Sequence, residues 1–280
     1  MAIKAIAMDI DGTLTNDKKV ITPRTREKLL AAQESGIKLI LASGRPAWGL
    51  RALADELELS SHDGLLVAFN GAHVVDAQTD EVLFDQAMPQ DELLRLIGHL
   101  KNYNVIPMIT LGRDLYIEDS YNCMIELPDG STKNIVKYER DACDLKIREV
   151  EDLAEVARTH AVDKLLTAGD PAYLQAHHEE MYAPVKDVLS GMFTADWYFE
   201  YTAPGIDKAR ALAGALPKLG IKPEEVVAFG DGQNDRSMIE WAGTGVAMAN
   251  AVDETKAAAQ VVTASNNEDG IAVALDKILG

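Results

Sequence analysis

The stretch Ala5-Ile6-Ala7-Met8-Asp9-Ile10-Asp11-Gly12-Thr13-Leu14 sets the frame for the rest of the chain. Ile3 to Met8 is an apolar run broken only by Lys4, the pattern of a strand buried on both faces. Two carboxylates, one residue apart, stand at its end, and Gly12 permits a sharp turn directly after them. Downstream, Thr22-Pro23 reads as a helix cap followed by proline at the first helical position, with Gly36 closing that helix. Ile37 to Ala42 is a second apolar strand, Pro46 to Leu57 a helical stretch, and Leu65 to Phe69 a third strand. This βαβαβ order predicts a parallel sheet with helices on both faces.

The middle of the chain has a different texture. Val74-Val75 and Val82-Leu83-Phe84 suggest a hairpin, and Leu93, Leu96, Ile97 and Leu100 share one helical face. Short strand-like pieces follow at 105–110, 115–117 and 123–127, with a turn at Pro128-Asp129-Gly130. Helices are expected at 150–159 and 171–189, with a strand at 164–168 between them. Alternation then returns: helix from Lys208, strand 226–229, helix 235–241, strand 244–247, helix from Asp253, strand 261–262 and a final amphipathic helix. The expected fold class is α/β, a Rossmann-like parallel sheet core with an inserted α+β cap domain. The core comprises residues 1–84 plus 195–280 and the insertion residues 85–194.

Composition narrows the function classes. The 280 residues suit one to two domains at about 150 residues each. A formal net charge of −18 argues against nucleic acid as the partner, because such binders need a basic footprint. It leaves room for a small phosphorylated ligand in a locally positive pocket. Cys123 and Cys143 show no metal or redox spacing and read as reduced thiols. The apolar N-terminus is too short for a secretory signal, and no stretch approaches the about 18 apolar residues of a membrane span. A cytoplasmic protein, monomeric by default, is expected.

Four polar signals stand at strand ends or helix starts. Asp9 and Asp11 would repel one another if both were ionised, so they need a cation or a shared proton; magnesium, a hard oxygen-seeking ion, would suit. Ser43-Gly44-Arg45 offers a hydroxyl and a backbone N–H to a phosphoryl oxygen. Lys208 opens a helix, an unfavourable place for a cation unless it faces an anion. Gly230-Asp231-Gly232-Gln233-Asn234-Asp235 follows another apolar strand; Asp231 offers a metal-binding oxygen and Asn234 a donor to phosphate. Each signal alone is also compatible with a turn, a helix cap or a surface charge. A parallel sheet would bring all four to one edge, beyond the carboxyl ends of its strands.

These motifs resemble those of the haloacid dehalogenase-like hydrolases, in particular the Cof-type sugar-phosphatase branch. The likeness also covers Asn70-Gly71-Ala72, Gly245-Val246-Ala247-Met248-Ala249-Asn250-Ala251 and Glu268-Asp269-Gly270-Ile271. It implies a magnesium-dependent phosphatase acting on a small-molecule phosphate ester. Asp9 would be the nucleophile. Asp11 would protonate the leaving oxygen and so hold a proton in the first step. Magnesium would lie on Asp9, Asp231 and the backbone carbonyl of Asp11. Ser43, Gly44, Lys208 and Asn234 would bind the phosphoryl group, and Asp235 would orient Lys208 or a metal-bound water. Asp207 and Ala209 beside the lysine, and Arg236, depart from the family pattern. A phosphotransferase or phosphomutase on the same scaffold, or a phospho-accepting signalling receiver, would share parts of this chemistry.

Overall fold

Four wholly buried residues, Ala5–Met8, form β1. Thr22 then caps α1 (Pro23–Glu34), its hydroxyl accepting from the Thr25 N–H while Pro23 occupies a position that needs no donor. Lys38–Ala42 forms β2. The expected helix at 46–57 begins as a tight turn at Ala47–Leu50 and continues as α2 (Arg51–Glu56). Leu65–Ala68 (β3) is followed by an antiparallel pair, β4 (His73–Asp76) and β5 (Val82–Asp85). The computed structural model describes residues 2–280.

The chain next builds a separate compact unit, Gln86–Ile206. Its elements are α3 (Gln90–Leu100), β6 (Ile106–Leu111), β7 (Asp114–Ile117), β8 (Met124–Glu126) and β9 (Thr132–Asn134). They continue with α4 (Ile135–Cys143), β10 (Lys146–Glu149), α5 (Leu153–Thr159), β11 (Lys164–Ala168) and α6 (Pro171–Tyr182). The hairpin β12 (Ser190–Ala195) and β13 (Tyr198–Thr202) completes a six-stranded sheet of order β10-β7-β6-β11-β13-β12. Three expectations are corrected here. The insertion does not end at residue 194, because β13 pairs with β11 and β12 and so carries residues 195–206 with it. The helix expected to reach Leu189 stops at Tyr182, just before Ala183-Pro184, where proline excludes a continuing helix. Helix α4, capped by the Asn134 side chain, was not expected.

The first unit resumes with α7 (Lys208–Ala215), β14 (Val226–Gly230), α8 (Arg236–Trp241), β15 (Thr244–Ala247), α9 (Asp253–Ala258), β16 (Val261–Val262) and α10 (Gly270–Ile278). Its sheet runs β16-β15-β14-β1-β2-β3-β4-β5, parallel from β16 to β3. Side chains alternate across it. Ile6, Met8, Leu39 and Leu41 pack with Leu29 of α1 and Leu275 of α10. Ala5, Ala7, Ile40 and Ala42 pack with Ala211 and Leu212 of α7 and Met238 of α8. Burying each large aliphatic side chain contributes about 1.5–3 kcal/mol, which fixes the register of the central strands. From β1 the chain crosses to β2 on one side, while from β14 it crosses to β15 on the other. The end of β1 is therefore at the switch point of the sheet, the place where open α/β sheets bind ligands beyond their strand ends.

Candidate active site

Asp9, directly after β1, is only 7% exposed, and its N–H donates to the Phe229 carbonyl of β14. Lys208, the first residue of α7, is fully buried. Its Nζ lies 2.5 Å from Asp9 Oδ1 and 2.6 Å from Asp235 Oδ1. The sequence makes this possible because Asp207, not Lys208, caps the helix: its carboxylate accepts from the Arg210 N–H. Asp235 in turn accepts from the N–H groups of Asp231 and Gly232 at 2.9 Å each. Asp231 Oδ1 accepts from the Thr13 hydroxyl at 2.6 Å. Gly12 has a φ of +87°, and a Cβ there would sit 2.4 Å from Asp231 Oδ2, so the turn after Asp9 closes onto Asp231 only with glycine.

The loops after β2 and β3 complete the same edge. Ser43 is buried and its main chain ties β2 to β3 and to Asn70 through bonds to Val67 and from Asn70. Phe69 and Asn70 both adopt positive φ, +51° and +57°. Such strained non-glycine backbone collects at functional sites. The turn delivers the Asn70 amide oxygen to the Asn234 side chain at 3.0 Å and its nitrogen to the neighbourhood of Gly44. Gly71 follows at φ +109°, where a Cβ would meet the Asp207 carbonyl at 2.3 Å. The start of the lysine-bearing helix thus rests directly on this turn.

Asp9, Asp11, Ser43, Gly44, Lys208, Asp231, Asn234 and Asp235, the residues expected from the sequence, all lie at this one edge of the first unit. Asp9, Lys208, Asp235 and Asp231 are joined in the contacts above. Asn234 is exposed and engaged with Asn70. Asp11 has two basic partners. Its carboxylate is held by Arg45 Nη2 at 2.8 and 2.9 Å and by Lys19 Nζ at 2.8 Å. Burial pushes the Asp11 carboxyl up, but the Lys19 hydrogen bond and the Arg45 charge outweigh it and hold it below the usual range. The two cations thus favour the charged form of this carboxyl. Lys19 was missed, and its position in the polar run Asn16-Asp17-Lys18-Lys19 carries no sequence signal that separates it from a surface lysine.

Electrostatics here are unbalanced. Asp9, Asp231 and Asp235 offer carboxylate oxygens within 4.8 Å of one another, against one buried ammonium. Burial pushes the Asp9 carboxyl up, Lys208 pulls it back, and Asp235 and Asp231 push it up again, to about 7. Asp231 is raised by burial, partly offset by the Thr13 hydrogen bond. Burial alone would lower the Lys208 ammonium, but Asp9 and Asp235 outweigh it and hold it above the usual lysine range. Both Asp235 oxygens are committed to hydrogen bonds, whereas Asp9 Oδ2 and Asp231 Oδ2 accept none among the described residues. Two free hard oxygens in an excess of negative charge fit a divalent cation such as magnesium.

The imbalance has a measurable sign. A carboxyl whose folded pKa lies near 7, above the unfolded value of about 3.9, binds its proton more tightly when folded. The stability it contributes is present below about pH 4 and is lost as pH rises through about 7. In EDTA, Tm should therefore fall between pH 5 and pH 8, and the Asp9→Asn protein should lose most of that slope. Magnesium should restore Tm at pH 8 in the wild type alone. Parallel melting slopes for the two proteins in EDTA would contradict this account.

Comparison with known proteins now identifies the site's lineage. A family model described as haloacid dehalogenase-like hydrolase matches residues 6–275. The chain belongs to the haloacid dehalogenase-like hydrolases. It is 33% identical over 279 residues to the pyridoxal phosphate phosphatase YbhA of Escherichia coli (strain K12), covering 97% of each chain. The crystal structure of a haloacid dehalogenase-like hydrolase from Bacteroides thetaiotaomicron superposes with a TM-score of 0.87 at 34% identity, over 99% of both chains. The subclass IIB sugar phosphatase BT4131 superposes with a TM-score of 0.76 at 26% identity, over 98% of both. The protein is accordingly a phosphoric monoester hydrolase of this family, with its sheet core and inserted cap. This membership replaces the receiver reading. Among the described residues no helix is long and apolar enough to cross a membrane.

Proposed function

We propose that the protein hydrolyses small phosphate esters, sugar phosphates foremost, in a magnesium-dependent reaction that passes through a phosphorylated Asp9. The observation that carries this reading is the fully buried Lys208 bridging Asp9 and Asp235 beside Asp231 at the strand ends. The sugar-phosphate choice draws on the likeness to the sugar phosphatase BT4131.

Asp9 attacks phosphorus with one carboxylate oxygen, and the bond from phosphorus to the leaving oxygen breaks. Asp11 gives that oxygen a proton. Asp11 then takes a proton from water as the water attacks the aspartyl phosphate, releasing inorganic phosphate and the free Asp9 carboxylate. Splitting one displacement into two lowers each barrier. Lys208 positions Asp9 and neutralises charge on the transferring group, and Ser43, the Gly44 N–H and Asn234 hold its oxygens. Asp235 fixes the Lys208 ammonium. For Asp11 to carry a proton, its carboxyl must leave Arg45 and Lys19. An arriving phosphate dianion gives those two cations another anion to face. Magnesium, held by the Asp9 and Asp231 side chains and the Asp11 carbonyl, would supply further charge neutralisation when bound.

The test is phosphate release from an aryl phosphate in magnesium and in EDTA, followed by a panel of sugar phosphates, nucleoside monophosphates and pyridoxal phosphate. Release should fall about 100-fold or more without the metal, and sugar phosphates should give the highest kcat/KM. Equal rates in EDTA would overturn the metal dependence. A higher kcat/KM for pyridoxal phosphate would overturn the substrate assignment.

A further inference from the structure

We propose that Asn266 and Asn250 are positioning residues that hold the Asp9–Thr15 turn in its reactive shape, a step that rests on the roles given above to Asp9 and Asp11. The turn's own hydrogen bonds use the Asp9 and Ile10 carbonyls, which accept from the N–H groups of Leu14 (3.2 Å) and Thr15 (2.9 Å). The carbonyls of Gly12 and Thr15, on either side of Thr13-Leu14, are satisfied from far along the chain. Asn250 Nδ2 donates to Gly12 O at 2.8 Å, and Asn266 Nδ2 donates to Thr15 O at 3.0 Å. The two asparagines are themselves linked, since the Asn266 N–H donates to Asn250 Oδ1 at 3.0 Å. Both carbonyls are thus gripped by one continuous relay running through the loops after β15 and β16.

The relay is built for rigidity. Asn266 is 6% exposed, and its Nδ2 reaches Asp17 Oδ1 as well, at 3.3 Å. Asn267 clamps Asp17 from the other side, donating to Oδ2 at 2.9 Å and accepting from the Asp17 N–H at 3.1 Å. A buried asparagine whose donors go to main-chain carbonyls specifies position, because any shift of the turn leaves polar atoms unpaired. The turn carries the reacting carboxylate, the proton carrier and Thr13, which holds Asp231. A displacement of about 1 Å in such a group costs about 100-fold in rate.

The experiment uses the full-length, magnesium-loaded protein. Asn266→Asp keeps shape but sets a carboxylate oxygen against the Thr15 carbonyl and Asp17; Asn250→Ala removes one grip at an exposed position that tolerates truncation. Expected are kcat losses of about 100-fold and about 10-fold on an aryl phosphate, with KM little changed and faster amide exchange confined to residues 9–17. A kcat for Asn250→Ala within about twofold of wild type, despite faster exchange, would reduce the relay to a structural brace. Unchanged exchange at 9–17 would overturn the relay altogether. A wild type that releases no phosphate would instead sink the functional reading, and exchange would still decide the relay.

Discussion

Asp9→Asn should abolish phosphate release, lowering kcat by about 10,000-fold or more, while leaving the fold intact. The asparagine keeps the shape of the side chain and its place beside Lys208. What it loses is the anionic oxygen that would bond to phosphorus and the charge that would hold a cation. Neither Asp235 nor Asp11 is free to substitute: both Asp235 oxygens are tied to Lys208 and two backbone N–H groups, and Asp11 is held by Arg45 and Lys19. The melting temperature in EDTA at pH 8 should be no lower than that of the wild type, since a buried carboxylate pushed up to about 7 has been removed. Rapid quenching of the wild type with hydroxylamine should trap a hydroxamate at position 9. Retention of more than a tenth of the wild-type rate by Asp9→Asn, or a hydroxamate elsewhere, would remove Asp9 from the role of nucleophile.

Lys208→Met carries the second large effect, and it acts on stability and rate together. Methionine fills a similar volume but leaves Asp9 and Asp235 facing one another in a buried space without their shared cation. Removing one partner of a buried ion pair costs about 3–5 kcal/mol. In a chain of this size that lowers Tm by roughly 6–15 °C. The loss should shrink toward pH 5, where Asp9, already pushed up to about 7 beside the ammonium, takes up a proton, and grow toward pH 8. The rate should fall by about 1,000-fold, because charge on the transferring phosphoryl group loses its nearest fixed cation. Thermal melts across pH, read beside steady-state kinetics, separate the two effects. A variant as stable as the wild type at pH 8 would mean that the ammonium does not neutralise these carboxylates.

Much of the core and most of the site could be read from residues alone, for a definite physical reason. A strand buried on both faces must be apolar throughout, so Ala5–Met8, residues 39–42 of β2 and Val226–Gly230 stand out against the polar runs that end them. Polar residues at those ends mark the one edge where ligands bind. The insertion was less legible. Strand β12 alternates between half-buried and exposed residues, and nothing local says that β13 pairs across to β11, so the boundary at 194 fell inside a hairpin. The partners of Asp11 and the Asn250–Asn266 relay were illegible for another reason: Arg45 and the two asparagines reach the turn from remote positions, and Lys19, though only 8 residues from Asp11, sits in a polar run, so none of these contacts leaves a periodicity. Asn250 lay inside a recognised motif, but that motif did not say what its amide would hold.

The placement of β1 also shapes how the molecule is made. Its neighbours in the sheet are β2, which follows within a few dozen residues, and β14, which arrives only after the whole intervening unit. During synthesis, Ala5–Met8 therefore has one hydrogen-bonding edge open until residues 226–230 emerge, and Asp9 lacks Lys208 and Asp231 for the same interval. Gln86–Ile206, with a hydrophobic cluster of its own, can collapse in that time without waiting for either end. The high contact order of β1 makes its final pairing slow and leaves an apolar edge exposed to other nascent chains. Pairing of the open edge of β1 and assembly of the carboxylate cluster thus arrive together: the strand that covers that edge also brings in Asp231 and Asp235.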